Sequence, residues 1–128
     1  MIVHVKVDPQ TAASLLIGLV AANVEQIQRA LEAGEAVPSV LAGIRSGAIV
    51  YRRQDPNEEW KTYAQLARDG WGDCEDLACA VVAELLCLGD EAEPFVYRSQ
   101  GSTYHVVAWS RAWGWLDPSR AAGMGWRE

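Results

Sequence analysis

Trp71-Gly72-Asp73-Cys74-Glu75-Asp76-Leu77-Ala78 decides the reading of this chain. After it, Leu77, Ala78, Val81, Leu85 and Leu88 recur at spacings that share one helical face, and Gly89 ends the run. The segment is therefore a helix that Cys74 opens. Asp73 suits the N-cap, and Asp76, three residues on, suits the returning half of a capping box. The first turn of a helix carries unpaired N–H groups and the positive end of the dipole, which favour an anion such as a thiolate. A cysteine placed there is a candidate nucleophile. The bland alternative is a small buried helix residue, the reading that fits Cys79 and Cys87.

Downstream of Pro94 lie three runs rich in aromatic and β-branched residues: Phe95 to Ser99, Tyr104 to Ser110 and Trp113 to Leu116. Gly101 and a Ser110-Arg111-Ala112 turn separate them, so they read as consecutive antiparallel strands. A three-residue loop centred on Arg111 sets His105 directly opposite Asp117, about 4.5–5.5 Å apart at Cβ and on one face. Val107 and Trp109 share that face, and Tyr104, Val106 and Ala108 point the other way. A helix packed on the His105 face would deliver the Cys74 sulfur to an imidazole that Asp117 orients, an arrangement suited to nucleophilic catalysis. A one-residue slip would separate the pair. His4 has no acid in a comparable register and reads as a strand surface residue.

Upstream, Ile2 to Val7 alternates with period two, as a half-buried strand does. Asp8-Pro9 then starts a long helix whose stripe, Leu15, Leu16, Leu19, Val20, Ile27 and Leu31, runs to Gly34 with a looser middle at Gly18. Pro38 to Arg45 is a short helix ending at Gly47, and Ala48 to Arg52 a short strand before the Asp55-Pro56-Asn57 breaker. Thr62 and Gln65 have capping-box spacing for a helix from Tyr63 to Asp69 that closes on Gly70.

With 128 residues, half of them apolar, and no repeat or linker, the chain is expected to form one domain. A net charge of −6 disfavours nucleic acid and anionic membrane surfaces as partners. Three cysteines in one predicted helix make a disulfide framework improbable, and the expectation is a reducing, cytoplasmic setting without a signal peptide or membrane span. Asp73, Glu75 and Asp76 are commoner as caps than as metal ligands, and no cysteine or histidine pair has zinc spacing, so neither metal nor cofactor is expected. Those same carboxylates raise the thiol's pKa unless they point away or are paired, and Asp76 is expected to turn inward toward an arginine. Four of the six tryptophans, Trp71, Trp109, Trp113 and Trp115, fall near these residues, either as groove walls or as core.

Gly72-Asp73-Cys74-Glu75-Asp76-Leu77-Ala78, Tyr104-His105-Val106-Val107 and Asp117-Pro118-Ser119 together resemble the Cys, His and Asp motifs of the transglutaminase-like superfamily, in particular its small bacterial and phage-type cysteine peptidases. Tyr51-Arg52-Arg53, Asp55-Pro56, Glu59-Trp60 and Gly123-Met124 extend the likeness over residues 49 to 125. The resemblance implies a papain-like α+β fold, the cysteine helix packed on a small antiparallel sheet with additional N-terminal helices, and thiolate attack on an amide or related acyl carbon. It implies a catalytic triad of Cys74, His105 and Asp117, with hydrolysis of a protein or peptide substrate as the first reading. The alternatives it leaves are acyl transfer and a non-catalytic assembly module, for instance with phage structural proteins in a virion. The chain is far shorter than the large crosslinking enzymes and has no obvious calcium loop. For the oxyanion hole the Cys74 backbone N–H is the natural donor, with Trp60 and Gln65 as further candidates.

Overall fold

The computed structural model describes residues 9–53, 60–98 and 104–124. The expected strand from Ile2 to Val7 and the Asp55-Pro56-Asn57 breaker lie outside them. The described part is a mixed helix and sheet structure whose centre is the helix that Cys74 opens, α4 (Cys74–Cys87). Ten of its fourteen residues are buried, so it is covered on nearly every side rather than along one stripe. Ala78, Cys79, Ala80 and Ala83 are small enough for neighbours to approach all around it. Leu88, expected in the buried stripe, is instead 74% exposed beyond the helix end.

Helix α1 (Pro9–Glu32) lies along one side of α4, with Leu16, Leu19, Val20 and Ile27 in the core. It runs through Gly18 unbroken, and Leu15 and Leu31 of the expected stripe are exposed. Helix α2 (Val40–Ser46) starts at a Ser39 cap and ends at Gly47, whose positive φ of 83° a side chain would strain. Strand β1 (Val50–Tyr51) pairs in parallel with β2 (Trp71–Gly72), a two-residue strand too short to announce itself by periodicity. Between them α3 (Tyr63–Asp69) has the Thr62/Gln65 capping box and the Gly70 stop that its sequence predicts.

The other side of α4 is covered by an antiparallel sheet in the order β3 (Ala92–Arg98), β4 (Tyr104–Ser110), β5 (Gly114–Leu116), followed by α5 (Pro118–Ala121). Strand β3 begins earlier than expected and includes Pro94, which an edge strand tolerates. The β4–β5 turn is Arg111-Ala112-Trp113, with Trp109 opposite Trp115 and Ala108 opposite Leu116, so the ladder is displaced by two residues from the expected register. Asp90 causes this. Its carboxylate binds the Ser110 hydroxyl and the Ala112 N–H, Ser110 Oγ accepts from Trp113 N–H, and the positive φ that closes the loop falls on Gly114. A shift of two preserves the alternation of faces. Val106 and Ala108 join the core with α4, and His105, Val107 and Trp109 leave from the other face. The helix thus packs on the face opposite to the one expected. No helix among the described residues is long and apolar enough to cross a membrane.

Candidate active site

The start of α4 is built from Asp73 and Asp76. Asp73 accepts from the Cys74 N–H at 2.8 Å, and Asp76, fully buried, accepts from the Asp73 N–H at 3.0 Å and from the Lys61 N–H at 2.7 Å. Asp76 is turned inward as expected, but its partners are backbone N–H groups rather than an arginine. Gly72 makes room for it, since a Cβ there would stand 2.7 Å from Leu66 Cδ1 and 3.0 Å from Asp76 Cβ. Burial outweighs the two N–H bonds and pushes the Asp76 carboxyl up to about 6.

Cys74 is 8% exposed, and its Sγ donates to Glu75 Oε2 at 3.2 Å, with the backbone N–H of Val106 near enough to favour its thiolate. Burial, then the charges of Glu75 and Asp73, push the thiol well above its ordinary range, outweighing the Val106 N–H. Glu75 itself is pushed up to about 8, first by burial and then by Asp73 and Asp76. The carboxylate problem posed by the sequence is therefore real. The thiol's own bond to Glu75 adds to it by holding the proton on the sulfur.

His105 is buried, with its ring edge-to-face on Tyr97 at 5.4 Å. Its Nε2 is hydrogen-bonded to Asp117 Oδ2 at 3.0 Å. The two residues are not directly opposite. Continuing the observed ladder puts Asp117 across from Val107, and its side chain reaches His105 diagonally. Asp117 also caps α5, where Oδ1 accepts from the Arg120 N–H at 3.2 Å and the Arg120 guanidinium lies 3.5 Å from Oδ2. Bonding through Nε2 leaves Nδ1 as the nitrogen available to a proton donor. Among the described residues no hydrogen bond joins the Cys74 thiol to the imidazole. The sulfur instead lies near the backbone of the residue that follows His105.

Of the expected oxyanion donors, the Cys74 N–H is taken by Asp73. Gln65 Oε1 accepts from the Thr62 N–H at the α3 cap, and Trp60 is partly exposed beside that cap in sequence. Trp71 is covered by cations, with Lys61 Nζ 3.0 Å and Arg52 Cζ 5.1 Å from its ring centre. Trp113 and Trp115 are exposed, and Trp109 is half-buried opposite Trp115. Phe95 and Trp115, edge-to-face at 5.2 Å, form a groove of about 360 Å³ with Tyr97, Val107, Leu116 and Asp117. Asp73, Cys74 and Glu75 bring a sulfur and two carboxylate oxygens within 4.8 Å of one another. Their polar atoms are already engaged in the cap and the thiol bond, which accounts for the cluster without an ion.

Sequence reasoning missed Glu75 as the thiol's partner, the Val106 N–H and Tyr97. Only Glu75 left a signal, as the acid next to the cysteine. No family model, curated protein or solved structure matches the chain.

Proposed function

We propose that the chain is a thiol-dependent hydrolase of peptide or isopeptide bonds, a small papain-like member of the transglutaminase-like superfamily, working through Cys74, His105 and Asp117. The observation that carries this reading is the 3.0 Å bond from His105 Nε2 to Asp117, with the Cys74 sulfur near the backbone of Val106, the next residue along the same strand. In this reading the thiol leaves Glu75 and gives its proton to His105 Nδ1. The thiolate adds to the acyl carbon, the amide C–N bond breaks, and the leaving amine takes the proton from the imidazolium. Water then cleaves the thioester with His105 as base. Asp117 fixes the tautomer and steadies the imidazolium. The groove of Phe95, Tyr97 and Trp115 is lined by Asp117 as well and offers an apolar wall to substrate side chains.

A second reading is favoured by the thiol's bond to Glu75 and by the exposed Phe95, Trp113 and Trp115: a non-catalytic binding module that uses the aromatic face. One experiment separates them. The protein is incubated with a panel of peptidyl amides and activated acyl esters, quenched in acid and mapped by mass spectrometry. An acyl adduct on Cys74 is expected, with turnover lost in Cys74→Ala and reduced about 10²–10⁴-fold in His105→Ala. Absence of any Cys74 adduct across the panel would sink the hydrolase reading.

A further inference from the structure

The Cys74 thiol and the Glu75 carboxyl are neighbours in sequence and hydrogen-bonded at 3.2 Å, the first buried and the second half-buried. A thiolate and a carboxylate at that separation, largely shielded from water, repel strongly. We infer that Cys74 and Glu75 share a single negative charge, so that Glu75 is a positioning residue that must carry a proton whenever Cys74 is a thiolate. This deepens the hydrolase reading and rests on it for its significance.

The groups around the pair point the same way. On α4, Asp73 and Asp76 add negative charge, and Cys79, one turn further on, is itself pushed up by burial and then by Glu75 and Asp76. Lys61, ahead of α3, has its Nζ 3.0 Å from Asp69 and over the Trp71 ring, and offsets only part of the charge on Asp76. From the sheet side come His105 on β4, bonded to Asp117, and Arg120 on α5, whose guanidinium lies beside Asp117. Among the described residues, two adjacent anions at this pair would therefore have no dedicated cation. Burial and the two aspartates raise Glu75 to about 8, which makes its protonated form available at neutral pH.

The balance is one proton and one charge. If the proton moves from Sγ to Oε2, the S–H bond breaks and an O–H bond forms, leaving thiolate beside carboxylic acid with the net charge unchanged. The sulfur anion then stays near the Val106 N–H and the positive end of the α4 dipole, and the new O–H points back at it. Conversely, once Glu75 ionises with the thiol still protonated, further thiolate requires a second charge on the pair. The thiolate fraction therefore stops rising above the Glu75 midpoint.

The test is the rate of Cys74 carboxamidomethylation by iodoacetamide between about pH 6 and about pH 10, with peptide mass spectrometry separating Cys74 from Cys79 and Cys87. The wild-type rate is expected to rise with pH and flatten above about pH 8. Glu75→Gln keeps rising, matching wild type within about twofold at pH 7 and exceeding it about tenfold one unit above the midpoint. His105→Gln keeps the flattening. The inference is overturned if wild type and Glu75→Gln superimpose at about pH 9, or if the flattening vanishes in His105→Gln and survives in Glu75→Gln. Should Glu75→Gln not fold, the wild-type curve alone decides, since a rate that climbs without flattening overturns it. Alkylation needs no substrate. A flattened curve without acyl adducts leaves charge sharing intact and removes the hydrolase reading.

Discussion

Replacing Asp76 with alanine removes the acceptor for two buried N–H groups, those of Lys61 and Asp73. Each orphaned N–H costs about 1–3 kcal/mol, so a loss of about 2–6 kcal/mol is expected at neutral pH, a large share of a small domain's stability. The pH dependence is more diagnostic. An ordinary capping carboxylate has a lowered pKa and loses its contribution as pH falls, so its alanine variant would approach wild type in acid. Asp76 is raised, to about 6, against about 3.9 in an unfolded chain. Between those values the native carboxyl holds a proton that the unfolded one has released, so acidification stabilises the wild-type fold. The gain is fully present below the unfolded pKa and lost as pH rises through the folded one. Two units correspond to roughly 3 kcal/mol by which the gap between wild type and variant should widen between about pH 7.5 and about pH 4. Asp76 also raises Glu75, so its removal takes away part of a second contribution of the same sign. Urea unfolding of both proteins at several pH values, with equal m-values required, measures the gap. A gap that narrows in acid would refute the reasoning and show that the two N–H bonds outweigh burial at this carboxylate.

Asp117→Asn should keep an acceptor for the Arg120 N–H while removing the charge that faces His105, giving near-wild-type melting and a turnover loss on the order of 10²–10⁴-fold. A steady-state assay with the substrate that acylates Cys74 reads this, and unchanged turnover would remove Asp117 from the site. Tyr63→Phe should cost about 1–2 kcal/mol and lower the melting temperature by roughly 3–8 °C, because the hydroxyl lies 2.6 Å from the Pro38 carbonyl and 2.7 Å from Glu84 and accepts from the Val40 N–H. Calorimetry checks it, and an unchanged melting temperature would mean that Glu84 alone holds the start of α2.

What the sequence announces well is whatever depends on neighbours in the chain. Helix α3 is bounded by Thr62, Gln65 and Gly70, α4 begins at its Asp73 cap, and β4 coincides with the run from Tyr104 to Ser110. Features that depend on distant partners are hidden. The β4–β5 turn is fixed by Asp90, twenty positions before Ser110, so reading the hairpin alone centres it wrongly. Besides the expected Asp73 N–H, Asp76 binds a backbone N–H fifteen positions away, with no side-chain signature to find. Leu15, Leu31 and Leu88 are apolar but exposed, and periodicity cannot separate an apolar residue that is buried from one that is not. At the site, the meeting of His105 and Asp117 was legible because the two-residue displacement preserves the faces. The side of the sheet that α4 covers was not, because Val106 and Val107 are chemically alike.

The displaced register alters what holds Asp117. Had it stood directly opposite His105, the β4–β5 ladder would have fixed it. Instead the ladder stops at Ala108 and Leu116, and Asp117 is already the cap of α5, with φ −116° and ψ 87° outside the strand geometry of its neighbours. Its position toward His105 therefore depends on Pro118 at the first helical position and on the Arg120 N–H. Among the described residues, the early end of β5 also leaves β4 without a strand partner on that side at Val106, whose N–H favours the Cys74 thiolate. One structural fact, a short third strand followed at once by a capped turn of helix, accounts for both. It leaves that edge of β4 open at Val106 and bends the chain so that Asp117 reaches the imidazole. Lengthening β5 would close that position and straighten Asp117 away from its cap, so the brevity of the strand belongs to the site as much as the three side chains do.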